Sequence, residues 1–264
     1  MTYFDDVLLG VIEGITEFLP ISSTGHLLLA EHWLGARSDT YNIVIQAGAI
    51  LAVTLIYWRR IVELLTNWSD PDNRDYLLKL TLAFLITAVL GLIVKKLGVE
   101  LPTTIQPVIW ALIIGGIWMI AAEALAARLP DSARITLRVA VAVGLAQIVA
   151  GVFPGTSRSA ATIFAAMLLG TSNRAAATEF AFLVGIPTMY AASAYELLKQ
   201  VKGGGVSEDW TAVGIAFVVS TVVAFVVVKW LLGFIQTHRF TSFAIYRIAF
   251  GALLLALSTA GLVG

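Results

Sequence analysis

A short stretch near the amino terminus, EGITEFLPISSTGH (residues 13–26), carries several chemically capable side chains within an apolar chain. Glu13 and Glu17 are four residues apart, so a helix places both carboxylates on one face. Two carboxylates in a medium of low dielectric repel each other, and a bound cation relieves that repulsion. Mg²⁺ and Ca²⁺ prefer oxygen ligands, and Mg²⁺ commonly takes one or two carboxylates together with substrate phosphate. The pair therefore predicts a divalent-cation site; the alternative is a partly hydrated pair of glutamates without a role.

The residues after Pro20 favour a new helix that begins with hydroxyl side chains. Ser22 and Ser23 are both good N-cap residues, and a buried helix start offers free N–H groups to a phosphate. Ser23 and His26 would share one face of this helix, and an imidazole beside a serine can make its hydroxyl nucleophilic. Glu17 is the rival base. The alternative is that the serines only cap the helix and His26 bonds a carbonyl.

A second polar stretch, PGTSRSA (residues 154–160), contains one cation, Arg158. Its planar guanidinium matches a phosphate with two parallel hydrogen bonds, and backbone N–H groups from Gly155 to Ser159 could form a second anion cradle. An ion pair with Glu13 or Glu17 is the alternative, and the two roles are compatible. The predicted catalytic residues are thus Ser23, His26 and Glu17. The predicted phosphate-binding residues are Arg158, Ser22, Thr24, Ser157 and Ser159, and the predicted metal ligands are Glu13 and Glu17.

The composition indicates a polytopic α-helical membrane protein. The 264 residues are 59% hydrophobic and 13% charged, with a mean hydropathy of +0.89, whereas soluble domains carry about 25% charged residues. The formal net charge is zero, which gives no basic face for nucleic acid. The chain has no cysteine, so disulfides, thiolate nucleophiles and cysteine-bound zinc are excluded.

Six apolar segments are long enough to cross a membrane, which takes about 20 residues. They lie at about 40–58, 77–96, 106–127, 176–199, 211–235 and 243–262. Two further apolar stretches, at about 3–35 and 136–170, are interrupted at their centres by the two polar stretches. Their arms are too short to span and are typical of re-entrant hairpins, whose irregular backbone must line a cavity or lie buried in protein.

The two interrupted stretches align with each other. Matching Pro20 to Pro154 pairs Ser22 with Thr156, Ser23 with Ser157, and Glu13 with Gln147. Each half of one integral membrane domain (1–264), about 1–130 and 131–264, then holds a broken hairpin and three spans. Three is odd, so the second half enters from the opposite face. This predicts an inverted-topology repeat with its site near the midplane; the alternative is a chance coincidence of two kinks.

The loop charges predict the orientation. Eight arginines lie on the side opposite the termini and five basic residues on the terminal side, so both termini are expected outside the cytoplasm. The first group is Arg59, Arg60, Arg74, Arg128, Arg134, Arg138, Arg174 and Arg239, and the second is Arg37, Lys95, Lys96, Lys199 and Lys202.

The two polar stretches, with VIQAGAILAV (44–53) and FAFLVGIPTM (180–189), resemble the undecaprenyl-diphosphate phosphatase family of bacterial inner membranes, also called the bacitracin-resistance protein family. The resemblance covers the whole chain. It implies six spans with two re-entrant hairpins, cation-dependent hydrolysis of the C55 isoprenoid diphosphate, and an active site open to the periplasmic face. It also matches Glu13 and Glu17 to the acidic pair, Ser23 to the nucleophile, His26 to the catalytic histidine and Arg158 to the phosphate-binding arginine. One departure is Ala160, where the family pattern SRSG has glycine.

The predicted function is therefore hydrolysis of undecaprenyl diphosphate to undecaprenyl phosphate and phosphate, which recycles the lipid carrier for cell-wall synthesis. A transporter or flippase for the lipid phosphate is the alternative, because inverted repeats with broken helices are typical of transporters. Ser23 and His26 beside two carboxylates favour catalysis, which transport alone does not need. The expected partners are the prenyl diphosphate and membrane lipids, and a homodimer is left open.

Overall fold

The computed structural model describes residues 3–98, 104–202 and 208–263. Within these ranges the chain forms eleven α-helices and no strand. In chain order the helices are α1 Tyr3–Thr16, α2 Ser23–Leu34, α3 Asp39–Ile56, α4 Trp58–Thr66, α5 Pro71–Lys96, α6 Gln106–Ala126, α7 Leu137–Val152, α8 Arg158–Leu168, α9 Arg174–Lys202, α10 Trp210–Thr237 and α11 Thr241–Thr259.

The six predicted spans are confirmed within the described residues. Helices α3, α5, α6, α9, α10 and α11 are each long and apolar enough to cross a membrane. Helix α5 begins six residues before the predicted segment, because the Asp70 side chain accepts from Asp72 N at 3.0 Å and Pro71 occupies the first turn. The first residues of α5 are polar, so a search for apolar segments does not include them. The short helix α4 was not predicted.

Both interrupted stretches are broken where the sequence predicts. Helix α1 ends at Thr16 and α2 begins at Ser23, while α7 ends at Val152 and α8 begins at Arg158. We call the two connecting segments, 17–22 and 153–157, the first and second elbow. Re-entrant insertion of these helix pairs into the membrane remains a prediction.

The elbow backbone corrects the sequence alignment by one residue. Ser22 and Ser157, which immediately precede α2 and α8, have φ of 74° and 68°, and no other described residue except glycine has a positive φ. Such a backbone is strained in residues that carry a Cβ. The two serines are therefore structural counterparts, whereas the sequence paired Ser22 with Thr156. The reason is one extra residue between proline and serine in the second elbow: Pro154 precedes Ser157 by three positions, whereas Pro20 precedes Ser22 by two. Periodicity cannot register this difference.

Helices of one half pack mainly on helices of the other. Helix α1 lies on α10 and α7 on α5, while α3 contacts α9 and α6 contacts α11. Both broken hairpins use glycine for the approach: a Cβ on Gly10 would lie 2.6 Å from Ala216 O, and one on Gly144 2.8 Å from Ala83 O. Each broken hairpin thus packs closely against a span of the other half. This arrangement supports the inverted repeat, which stays a prediction.

Candidate active site

Glu17 and Ser23 face each other across the first elbow. Glu17 N donates to Glu13 O at 3.0 Å, so one more helical turn follows the end of α1 and carries the Glu17 carboxylate. The hydroxyl of Ser23, the first residue of α2, donates to Glu17 Oε2 at 2.5 Å. The Glu17 side chain is only 5% exposed. A buried carboxylate thus holds the proton of the serine that the sequence proposes as nucleophile.

The second elbow contributes Arg158 to the same carboxylate. Arg158 Nη2 donates to Glu17 Oε1 at 3.1 Å, and Gln46 Nε2 from α3 reaches that oxygen at 3.3 Å. The Ser159 hydroxyl donates to Leu19 O at 3.0 Å and ties the elbows together. The expectation that the elbows meet is confirmed. The ion pair between Arg158 and Glu17, foreseen as an alternative, is present.

A cavity of about 780 Å³ opens beside this cluster. Six of the predicted site residues line it: Glu17, Ser22, Ser23, Thr24, Ser157 and Arg158. Its remaining wall is formed largely by α5, α7 and α9. The cavity therefore brings a hydroxyl, a carboxylate, a guanidinium and two helix starts to one volume, which matches the needs of phosphate chemistry.

His26 occupies a different place from the one expected. Its Nδ1 lies 2.7 Å from Ser22 O, and because a carbonyl oxygen only accepts, Nδ1 carries the proton. Nε2 of the neutral ring then accepts from the Tyr246 hydroxyl at 2.7 Å, and the ring stacks on Phe250 with centroids 4.2 Å apart. The expected pairing with Ser23 is thus corrected. Ser22 lies four positions back on the same helical face, so its carbonyl oxygen is within reach of the ring.

The other hydroxyl groups divide between lining the cavity and fixing the elbows. Ser157 Oγ accepts from Ala160 N at 3.3 Å and caps α8, whereas Ser22 makes no side-chain cap on α2. Ser159 does not line the cavity and its hydroxyl bonds Leu19 O, so the geometry assigns it to holding the elbows and not to phosphate. Ala160 is buried in the core and its N–H completes the cap, so alanine fits where glycine was expected.

The Glu13 carboxylate lies behind Glu17 and not in the cavity wall. It is 1% exposed, and neither of its oxygens has a hydrogen-bond partner among the described residues. A buried carboxylate without a partner is costly unless it takes a proton or a cation. The described residues contain no cluster of three or more His, Cys, Asp or Glu side chains. Two carboxylates with a substrate phosphate nevertheless satisfy the oxygen preference of Mg²⁺, so Glu13 and Glu17 fit a divalent cation.

Arg247 is a site residue that the sequence interpretation missed. Its side chain is fully buried on α11 and donates to four backbone carbonyls. They are Thr156 O at 2.8 Å, Gly155 O at 3.0 Å, Ala111 O at 2.9 Å and Leu112 O at 3.5 Å. The guanidinium thus fastens the second elbow to α6. An arginine inside an apolar span, in AIYRIAFG (244–251), was the available signal.

Tyr246 and Gln46 were missed as well. Tyr246 directly precedes Arg247, so consecutive residues of α11 hold His26 on the first helix pair and the carbonyls of the second elbow. Gln46 is an uncharged polar residue within the span α3. A single amide or phenol in a span carries little signal by itself, because its partner lies far away in the sequence.

The chain matches known proteins along its whole length. The model of the family described as Bacitracin resistance protein BacA matches residues 6–253. A protein of Rhizobium johnstonii named Undecaprenyl-diphosphatase is 72% identical over 264 residues, which is 100% of both chains. A protein of the same name from Rhizobium etli is 70% identical over 264 residues. Another, from Stenotrophomonas maltophilia, is 64% identical over 250 residues, which is 94% of this chain and 95% of the relative. The chain belongs to the bacitracin resistance protein BacA family.

Proposed function

We propose that this membrane protein is a phosphatase that hydrolyses undecaprenyl diphosphate to undecaprenyl phosphate and inorganic phosphate, and so recycles the lipid carrier for cell-wall synthesis. Its relatives at 64–72% identity bear the name Undecaprenyl-diphosphatase. Six helices suit a protein that works in a lipid phase. The observation that carries the proposal is the Ser23 hydroxyl on the Glu17 carboxylate, with Arg158 on the opposite carboxylate oxygen.

The first chemical step is attack of Ser23 Oγ on the terminal phosphorus. The serine proton passes to Glu17 Oε2, to which it is already bonded at 2.5 Å. A bond forms between Oγ and phosphorus, the bond from phosphorus to the bridging oxygen breaks, and undecaprenyl phosphate leaves with that oxygen. Arg158 turns from the now neutral Glu17 to the phosphoryl oxygens, where its positive charge stabilises the transition state.

The second step returns Ser23 to its starting state. The neutral Glu17 first gives its proton to the departing undecaprenyl phosphate and is a carboxylate again. It then takes a proton from a water in the cavity, and the water oxygen bonds the phosphorus of the phosphoserine while the bond to Oγ breaks. Glu17 passes this proton to Ser23 Oγ, and inorganic phosphate is released. Free N–H groups at the starts of α2 and α8 bind the phosphoryl oxygens in both steps, with Ser22, Thr24 and Ser157 around them. The rival route is direct attack by an activated water, with Ser23 only binding phosphate.

A divalent cation, Mg²⁺ or Ca²⁺, would be held by Glu13 and Glu17 and would neutralise charge on the diphosphate when bound. The unpartnered carboxylate of Glu13 supports this assignment. The chain's own contribution is to keep two buried carboxylates one helical turn apart.

We assign His26 a positioning role in place of the base. Its Nδ1–H bonds Ser22 O and therefore fixes the strained residue directly before Ser23. Its Nε2 accepts from Tyr246 and so has no free lone pair for the serine proton. Loss of His26 should then misplace Ser23 without removing the proton acceptor.

The proposed setting is the bacterial inner membrane, with both termini and the active site towards the periplasm. The excess of arginine in the loops opposite the termini supports this orientation. The prenyl tail would lie along the helices in lipid, so the protein needs to enclose only the head group.

Phosphate release from a prenyl diphosphate by the purified protein, with and without EDTA, tests the function. Release that EDTA abolishes and added Mg²⁺ or Ca²⁺ restores is the expected result. Absence of release under all metal conditions would contradict it. The names of the relatives describe hydrolysis, and no contact among the described residues favours the transporter alternative.

A further inference from the structure

The catalytic cavity has a second charged end. Lys95 of α5 and Glu196 of α9 line the same cavity as Ser23 and Arg158. Lys95 Nζ lies 2.5 Å from Glu196 Oε1 and 4.0 Å from the ring centroid of Tyr195, which also lines the cavity. We call these three residues the mouth cluster.

The position of the mouth cluster makes it the outer end of the cavity. Lys95 is the penultimate residue of α5, and Glu196 lies near the end of α9, so both stand where their spans approach the membrane surface. The wall between the two ends carries a polar strip, in which Gln147 Nε2 donates to Thr87 Oγ1 at 3.1 Å and to Thr188 Oγ1 at 3.4 Å. All three residues of the strip line the cavity. These groups give a hydrated anion polar contacts partway along a wall that is otherwise largely apolar.

Charge is balanced at both ends of the cavity. The charged residues in its wall are Glu17 and Arg158 at the elbows and Glu196 and Lys95 at the mouth, so each cation faces one carboxylate. The side chains of Lys95 and Glu196 are 41% and 37% exposed, and ion pairs this accessible contribute little to stability. An entering phosphate can therefore displace Glu196. The Tyr195 ring keeps the ammonium in place when that happens, through a cation–π contact.

We propose that the mouth cluster is a binding station for phosphate, with Lys95 as its cation, Tyr195 as its support and Glu196 as its displaceable partner. Its ligand is a phosphate group passing between the elbows and the membrane surface: released inorganic phosphate or the phosphate of a prenyl lipid. The assignment rests on the proposed phosphatase function, which requires a doubly charged product to leave an intramembrane cavity.

The test is protection of Lys95 from acetylation, measured by mass spectrometry on the purified full-length protein. Lys96 serves as the internal control, because it is adjacent and exposed but does not line the cavity. Inorganic phosphate and farnesyl monophosphate are titrated separately. We expect at least one of them to slow acetylation of Lys95 and leave Lys96 unchanged, and the effective ligand identifies the source of the phosphate.

Glu196→Gln sharpens the test because it removes the competitor of the ligand and keeps the length of the side chain. Half-protection of Lys95 should then occur at about two- to fivefold lower ligand concentration, as the loss of one exposed ion pair implies. Equal protection of Lys95 and Lys96, or no protection by either ligand, would overturn the station. The readout needs no turnover. If the protein releases phosphate but neither ligand protects Lys95, only the binding station is refuted. If a ligand protects Lys95 but the protein shows no turnover, only the phosphatase assignment is refuted.

Discussion

The single proton of the Ser23 hydroxyl is donated to Glu17 Oε2 at 2.5 Å. This contact makes Glu17 the acceptor in reach when Ser23 attacks a phosphorus. His26, the acceptor that a Ser-x-x-His spacing predicts, donates its Nδ1–H to Ser22 O and accepts a hydrogen bond from the Tyr246 hydroxyl at Nε2. In the proposed mechanism the base is therefore separate from the histidine, and mutation can distinguish the two roles.

Glu17→Gln should lower the rate of phosphoryl transfer more than His26→Ala does. Glutamine keeps the size of the side chain and an acceptor oxygen but cannot take the serine proton, and loss of a general base costs about 10²–10⁴-fold. Single-turnover rates at saturating substrate measure the step directly. If His26→Ala were the more damaging change, the histidine would be the base after all.

Tyr246→Phe should reduce kcat by only about two- to tenfold, because it deletes one hydrogen bond to a histidine that remains bonded to Ser22 O. Tyr190→Phe is the matched control, since its hydroxyl contacts Thr54 outside the cavity wall. It should leave kcat unchanged. A loss for Tyr246→Phe as large as that for Glu17→Gln would show that the phenol takes part in proton transfer.

Gly115→Ala should destabilise the second elbow without touching a catalytic residue. A Cβ on Gly115 would lie 2.4 Å from Arg247 Nη2, so the guanidinium must shift and its Nη2 bonds to Gly155 O and Ala111 O are disrupted. We expect a lower melting temperature and reduced kcat, at a cost of about 2–4 kcal/mol for the lost charged hydrogen bonds. The control is Gly214→Ala, where no atom lies within 4 Å of the added Cβ. Equal melting temperatures for the two variants would contradict the role of Arg247 in fastening the second elbow to α6.

Glu13→Gln should weaken the metal dependence of turnover while the fold is kept, because glutamine removes one anionic ligand from a buried position. A loss of about 10–100-fold in apparent metal affinity is expected, partly rescued by more Mg²⁺ or Ca²⁺. Titrations of activity with metal after EDTA treatment check this. An unchanged metal requirement would mean that the buried Glu13 carboxylate carries a proton instead of a cation ligand.

The spans and the two breaks were predictable from sequence because both depend on local composition. Apolar runs of sufficient length define α3 and α11, and Pro20 and Pro154 mark the elbows. The meeting of the elbows followed from the comparison of the two halves. These features need no knowledge of which side chains touch.

The hydrogen bonds between residues of the site were not predictable in the same way. Spacing places His26 on the face of Ser23, but the Ser22 carbonyl oxygen accepts the Nδ1–H of the ring, and Tyr246 lies 220 residues away. The one-residue offset between the elbows also has no hydropathy signature. Arg247 was predictable in principle as a charge within a span, although its four carbonyl partners were not.

Rapid-quench labelling is the measurement that tests the central claim, nucleophilic attack by Ser23, most directly. A prenyl diphosphate labelled in its terminal phosphate is mixed with enzyme, quenched in milliseconds to seconds, and the protein is digested and sequenced by mass spectrometry. Attack by Ser23 should give transient phosphoserine at Ser23, and Ser23→Ala should show neither label nor turnover. Substantial turnover by Ser23→Ala without a labelled intermediate would contradict it and assign the attack to water.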